Sequence, residues 1–372
     1  MNSVDEKYLD LARDIMENGT DKDTRAGRVR SVFGRQLRFN LKEGLPLLTT
    51  KKVFTNGAIH ELLWFIQRPC NSHGSMNIEY LVRNGVHIWD DDAYRWFKSD
   101  IVPKYKGKID NIFICTNDDE TIHGRRAELQ YWMENQARKD DQEWLESMDK
   151  EEFLDMVLQK AELHAKGEKP YRFGDLGPIY GKQWRRFGNS GTDQIQKIVD
   201  TLKTNPSDRR MICLAFNPDV LNDVALPPCH VMMQFYTRKL TQEERAEMLK
   251  KQKATDKELP EYALSCMWTQ RSCDYFLGGP VNMISYAILT HMIAKLVNMV
   301  PDELIASFGD CHIYEAHFDA ISEQLGRKGS DKLARLKIGG KQKTIDDFKF
   351  TDFKITGYEP DPAIKAPLLV GK

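Results

Sequence analysis

The sequence has no excess of charge of either sign: 54 Lys plus Arg stand against 55 Asp plus Glu in 372 residues, a net charge of -1. That balance excludes a global field that would draw the chain onto DNA, RNA or an anionic membrane. It also lacks a long apolar run. The longest, Ala287 to Val300, is interrupted by His291 and Lys295, and the amino-terminal MNSVDEKYLDLARDIMENG carries charges where a signal peptide needs an apolar core. A cytoplasmic protein with no membrane partner is expected. Cysteine is sparse and odd in number, seven without CxxC spacing, which argues against a disulfide framework and for reduced thiols. No HExxH or paired CxxC organises Cys229, His230, Cys311, His312 and His317, so no metal is expected. GPIYGKQ at 177–183 has three residues between its glycines where a phosphate-binding P-loop has four, and Gln where Ser or Thr would bind magnesium.

What is present is a 41% hydrophobic chain able to bury a substantial core. Its length suits one large domain with an insertion, or two domains. The first segment is expected as an amphipathic helix, carried by Tyr8, Leu9, Leu11, Ala12, Ile15 and Met16 and ending at Gly19, then a loop from Thr20 to Gly27. SVFGRQLRF at 31–39 alternates like a strand, and AIHELLWFIQ at 58–67 reads as a buried helix. From Pro103 to Arg172 the composition turns charged with helical periodicity, as expected of an inserted helical subdomain on the surface. Strands are expected at Met211–Phe216, His230–Thr237 and Leu264–Gln270, and a second buried helix at Asn282–Val297. The class is mixed α/β.

A cysteine alone is most often inert packing. Cys229 sits in PPCHVMMQFY, where two prolines fix an extended approach and a strand follows, a setting that presents a thiol at a strand end. A thiolate near neutral pH needs cationic support, which the SDRR run (207–210) and the QRS run (270–272) can supply. Most arginines are merely solvated. Arg25, Arg209, Arg210 and Arg271, however, all fall in turn-like or strand-end segments, and a guanidinium fork matches a phosphate dianion. A small phosphorylated substrate fits better than a polynucleotide.

ELLWF, DLGPIYGKQW, SDRR, PPCH, QRSCDYFLGGPVN, GDCHIY and ITGYEPDPAIKAP resemble, in order, the signatures of the thymidylate synthase family. The resemblance runs from the first helix to the last residues apart from the insertion. It implies a single domain over 1–372, with 103–172 inserted, built as a mixed sheet layered with helices and working as a homodimer. It implies that Cys229 adds to C6 of dUMP so that C5 accepts a one-carbon unit from 5,10-methylenetetrahydrofolate. By the same resemblance Arg25, Gln270, Arg271 and Ser272 contact the nucleotide, Arg209 and Arg210 serve the other subunit's site, and His312 and Tyr314 meet the ribose. Glu61 resembles the acid that organises water, and Tyr180 the residue assisting loss of the C5 proton. Ile88, Trp89, Leu226, Gly278, Val281 and Asp274, the pteridine ligand, resemble the folate contacts. An amide at Asn282 pairs with uracil O4 and N3–H, where a member reading cytosine would favour a carboxylate.

Several positions depart from the family. Val281 stands where an aromatic ring packs the folate, Gly279 where a bulky apolar residue is usual, and Asp92 where Trp or Asn is common. RPCNSHGSMN replaces the usual GDTN, Ala316 replaces an Asn, and Val370-Gly371-Lys372 extends the tail. The folate side is altered more than the nucleotide side. A looser folate site with an added carboxylate favours water over hydride at the exocyclic methylene, as in hydroxymethylases of phages with modified DNA, because about 1 Å of misplacement can cost roughly a hundredfold in rate. The expected product is therefore 5-hydroxymethyl-dUMP. The alternatives are dTMP with dihydrofolate, and an inactive relative that binds RNA or a partner through the insertion.

Overall fold

A computed structural model describes residues 1–66, 75–104, 138–165, 173–188, 190–251 and 259–369. Within these the chain is a mixed α/β protein around one six-stranded sheet, in the order β1 (Thr20–Thr24), β2 (Gly27–Asn40), β6 (Val300–Tyr314), β5 (Tyr262–Asp274), β4 (His230–Lys239), β3 (Ile212–Leu214). Only β5 and β6 run parallel. A small hairpin, β7 (Arg335–Ile338) with β8 (Phe353–Thr356), lies apart.

Helix α1 (Ser3–Asn18) starts where the Asn2 side chain accepts from the Val4 and Asp5 amides, and it ends at Gly19 as expected. The segment expected as a loop after it is instead β1, paired with Asp21 opposite Arg30. Its TDKDT is fully exposed, so no alternation betrays it, and the hairpin partner supplies the order. Helix α2 (Thr55–Ile66) is buried along most of its length, which its apolar composition requires. The same holds for the long helix Gly278–Leu296, which crosses the sheet's inner face. The fifteen-residue strand β6, central in the sheet, has no counterpart among the strands expected from the sequence. It carries Pro301, Asp302, Glu303 and Asp310 among its apolar residues, which masks the pattern.

Of the expected insertion, residues 105–137 and 166–172 lie outside the described residues. The described part forms helices at Arg138–Ser147 and Lys150–Ala165, and these are not confined to the surface. Leu145, Met148, Phe153 and Val157 are buried. Phe153 packs 5.1 Å from the Phe97 ring, and Lys150 pairs with Asp91 at 2.6 Å, bracing the helix Asp90–Trp96. Among the described residues no helix is long and apolar enough to cross a membrane, and no His, Cys, Asp and Glu group can hold a metal.

Candidate active site

Cys229 is half-buried at the entry to β4, where a register shift follows His230. Four neighbours fix it. Its amide donates to the Tyr180 hydroxyl at 2.9 Å. Its carbonyl accepts from the Arg271 amide at 2.8 Å. The Arg271 guanidinium donates to the carbonyls of Pro228 (2.9 Å) and Pro227 (2.7 Å), and its Nη2 stands 3.8 Å from Sγ. The two prolines thus present acceptors as well as stiffness. Burial pushes the thiol's pKa up, Arg271 opposes that, and Asp92 and Asp274 reinforce it. In one chain on its own the thiol is the resting form.

Tyr180 is buried, with φ of 25°, a conformation that non-glycine residues rarely adopt and that tends to persist at functional sites. It begins the short helix Tyr180–Arg185, and the two glycines around it explain GPIYGKQ. A Cβ on Gly177 would lie 2.0 Å from the Asp223 carbonyl, and one on Gly181 2.2 Å from the Phe65 carbonyl. Close backbone packing, not phosphate binding, requires them.

Glu61 is buried within α2. Desolvation raises its pKa from 4.5 to about 7, although its carboxylate accepts from the Trp89 indole at 2.8 Å. Trp89 stands edge-on to Tyr180 at 5.9 Å, so acid, indole and phenol form one contact chain ending at Cys229.

Asn282, Gln270 and His230 form a second chain. The Asn282 amide donates to Gln270 Oε1 at 3.4 Å, and it also bonds His230. Burial drives the His230 pKa down to about 4, which keeps the ring neutral, and Tyr286 meets its Nδ1 at 3.2 Å. Asp274 Oδ1 accepts from the Phe276 and Leu277 amides, fixing the turn into the helix that carries Gly278, Val281 and Asn282. His312 is buried against Asp310 at 3.1 Å, with the half-buried Tyr314 ring 5.2 Å away. Arg25 is exposed at the β1–β2 turn, and its charge reaches Tyr314. Ser272 is half-buried on β5 beside His312's strand. Ile88 is exposed, and Leu226 and Val281 are half-buried against the core.

The SDRR run does not support Cys229 within its own chain, correcting one of the two sources of cationic support expected from the sequence. Arg209 is exposed, and Arg210 is 89% exposed with its guanidinium on Asp208. Asp92, a buried departure from the family, does not stand as a free carboxylate, for Arg95 donates to it at 2.8 Å. Sequence reasoning missed Arg95. It also missed Lys51, whose ammonium is buried over the Phe276 ring at 3.3 Å and donates to the Phe276 carbonyl; desolvation lowers its pKa to about 7. It assigned nothing to His317, fully buried, with Nε2 on the tail carbonyl of Pro367 at 2.8 Å. No local pattern marks any of the three, since each depends on a partner distant in the chain or on a single side chain's rotamer.

The chain that brings together this strand-end thiol, neutral histidine, amide and buried acid has close sequence relatives among known proteins. The thymidylate synthase profile matches residues 6–370. The thymidylate synthase of Listeria monocytogenes serotype 4a (strain HCC23) is 38% identical over 369 residues, covering 98% of this chain and 99% of the relative. That of Leuconostoc mesenteroides subsp. mesenteroides is 36% identical over 379 residues, covering both chains fully. With the ordered motifs and the mixed sheet, this settles the relationship: the chain belongs to the thymidylate synthase family.

Proposed function

We propose that this chain transfers a one-carbon unit from 5,10-methylenetetrahydrofolate to C5 of dUMP through a covalent bond from Cys229, and that the reaction ends in hydride delivery, giving dTMP. The observation that carries the first half is the Cys229–Tyr180–Arg271 arrangement, with Asn282 tied to neutral His230. As the thiolate adds to C6, C5 becomes the nucleophile. Asn282 and Gln270 hold the uracil, Glu61 moves protons near neutrality, and Tyr180 assists loss of the C5 proton. Arg25, Arg271 and Ser272 hold the phosphate, with His312 and Tyr314 at the ribose.

The working unit is a homodimer. Phe33, Tyr236 and Ile212 are exposed apolar side chains on three strands of the sheet, which supports a subunit contact there, and the exposure of Arg209 and Arg210 leaves both free to serve the partner's site. Their positive charge, added to Arg271, lowers the thiol pKa that burial raises. The chain acts as one domain over 1–372, with 103–172 as an insertion from which Lys150 braces the Asp90–Trp96 helix.

Hydride delivery, rather than the water capture expected from the sequence, is supported by the fixed Trp89 platform and by the neutralised Asp92. Ile88, Leu226, Asp274, Gly278 and Val281 complete the folate walls. Formation of 5-hydroxymethyl-dUMP stays as a second reading because Gly279 and Val281, at the start of the helix beside Asp274, are smaller than the residues usual in the family. Mass spectrometry of the nucleotide product, with absorbance of the released folate, separates the readings. The account expects dTMP with dihydrofolate, and 5-hydroxymethyl-dUMP with tetrahydrofolate would reverse it.

A further inference from the structure

Arg95 has no part in the chemistry above, yet it ties the helix that carries Asp92 to the segment that carries Leu226. It lies one turn after Asp92 on the Asp90–Trp96 helix. A single nitrogen, Nη2, donates to Asp92 Oδ1 and to the Ala225 carbonyl, each at 2.8 Å. Its Nε is buried without a partner among the described residues, so this one nitrogen carries the tie. Ala225 opens the stretch Ala225–Pro228 before Cys229, which is held by three residues. Its own amide donates to the Leu176 carbonyl at 3.0 Å, Arg95 takes its carbonyl, and Arg271 takes those of Pro227 and Pro228.

Removing the Arg95 tie frees the chain around Leu226 while Arg271 still fixes the approach to Cys229. The folate wall is then perturbed and the nucleotide wall is not. We propose that Arg95 is a positioning residue that sets the separation of Leu226 from Trp89 across the folate cleft, with Asp92 as its anchor. The proposal rests on the reaction assigned above. It changes the meaning of Asp92, which acts by orienting a guanidinium and not by activating water. Asp92→Asn, which keeps an acceptor, is then expected to behave nearly as the wild type, and Asp92→Trp to behave as the loss of Arg95.

The test compares Arg95→Met and Arg95→Lys with the wild-type enzyme. For Arg95→Met, KM for methylenetetrahydrofolate is expected to rise about tenfold, with KM for dUMP within about twofold and part of the product diverted to 5-hydroxymethyl-dUMP. Arg95→Lys, which can still donate, is expected to fall between. An unchanged folate KM in a folded Arg95→Met protein overturns the proposal, as does an equal rise in both KM values, which a general structural role would give. Should Arg95→Met fail to fold, the same comparison on Arg95→Lys decides. Should the wild type turn over no dUMP, the reaction assignment fails instead, and calorimetric titration of wild type and Arg95→Met with tetrahydrofolate then tests the positioning on its own.

Discussion

Replacing Glu61 by Gln probes how far burial controls the site. The carboxyl is buried in α2 with the Trp89 indole as its hydrogen-bond donor, and its pKa stands at about 7 against an ordinary 4.5. A group whose pKa is higher folded than unfolded binds more protons in the fold. Its stabilising contribution is full below the unfolded value and is lost as pH rises through the folded one. Across this gap the wild type should lose roughly 2–3 kcal/mol of unfolding free energy between pH 5 and pH 8 relative to Glu61→Gln, which keeps the shape and cannot ionise. Urea unfolding of both proteins at several pH values measures the difference directly. The kcat/KM profile of the wild type should also show an apparent pKa near 7 that the variant lacks. Parallel stability curves for the two proteins over this range would refute the reasoning, because they would mean that Glu61 is already ionised and solvated in the fold.

Two further outcomes follow from the same geometry. Tyr180→Phe removes the acceptor of the Cys229 amide and the group assigned to the C5 proton, so kcat should fall about a hundredfold with KM for dUMP little changed, as steady-state kinetics would show. Gly177→Ala places a Cβ 2.0 Å from the Asp223 carbonyl at a φ of 78°, so it should destabilise by roughly 2–3 kcal/mol in urea unfolding.

The elements that pack with regular periodicity were legible in the sequence. The α1 helix, the core of β2, α2 and the long helix behind Asn282 fall close to their expected bounds, because each shows one buried face or is buried throughout. What was not legible has a common physical origin in long-range pairing. β1 is all polar and ordered by its hairpin, and β6 hides a central strand beneath scattered charges. At the site, the motif around Cys229 pointed to a thiol with arginine support, and the fold supplies Arg271 for it. The Arg95 bond to Ala225 joins residues 130 positions apart and leaves no trace in either local pattern. Asp92 shows the cost of that blindness. Read alone it is a carboxylate added to a folate cleft, and read with Arg95 it is half of an ion pair.

The central claim, that Cys229 bonds covalently to C6 of the pyrimidine, is tested most directly by trapping the adduct. With 5-fluoro-dUMP and methylenetetrahydrofolate, the fluorine at C5 cannot leave as the proton does, so the reaction should halt with nucleotide and folate attached to the protein. Peptide mass spectrometry is expected to place that mass on the peptide containing Cys229, and to find none on Cys229→Ser. An active enzyme that gives no adduct, or an adduct on another side chain, would contradict the account.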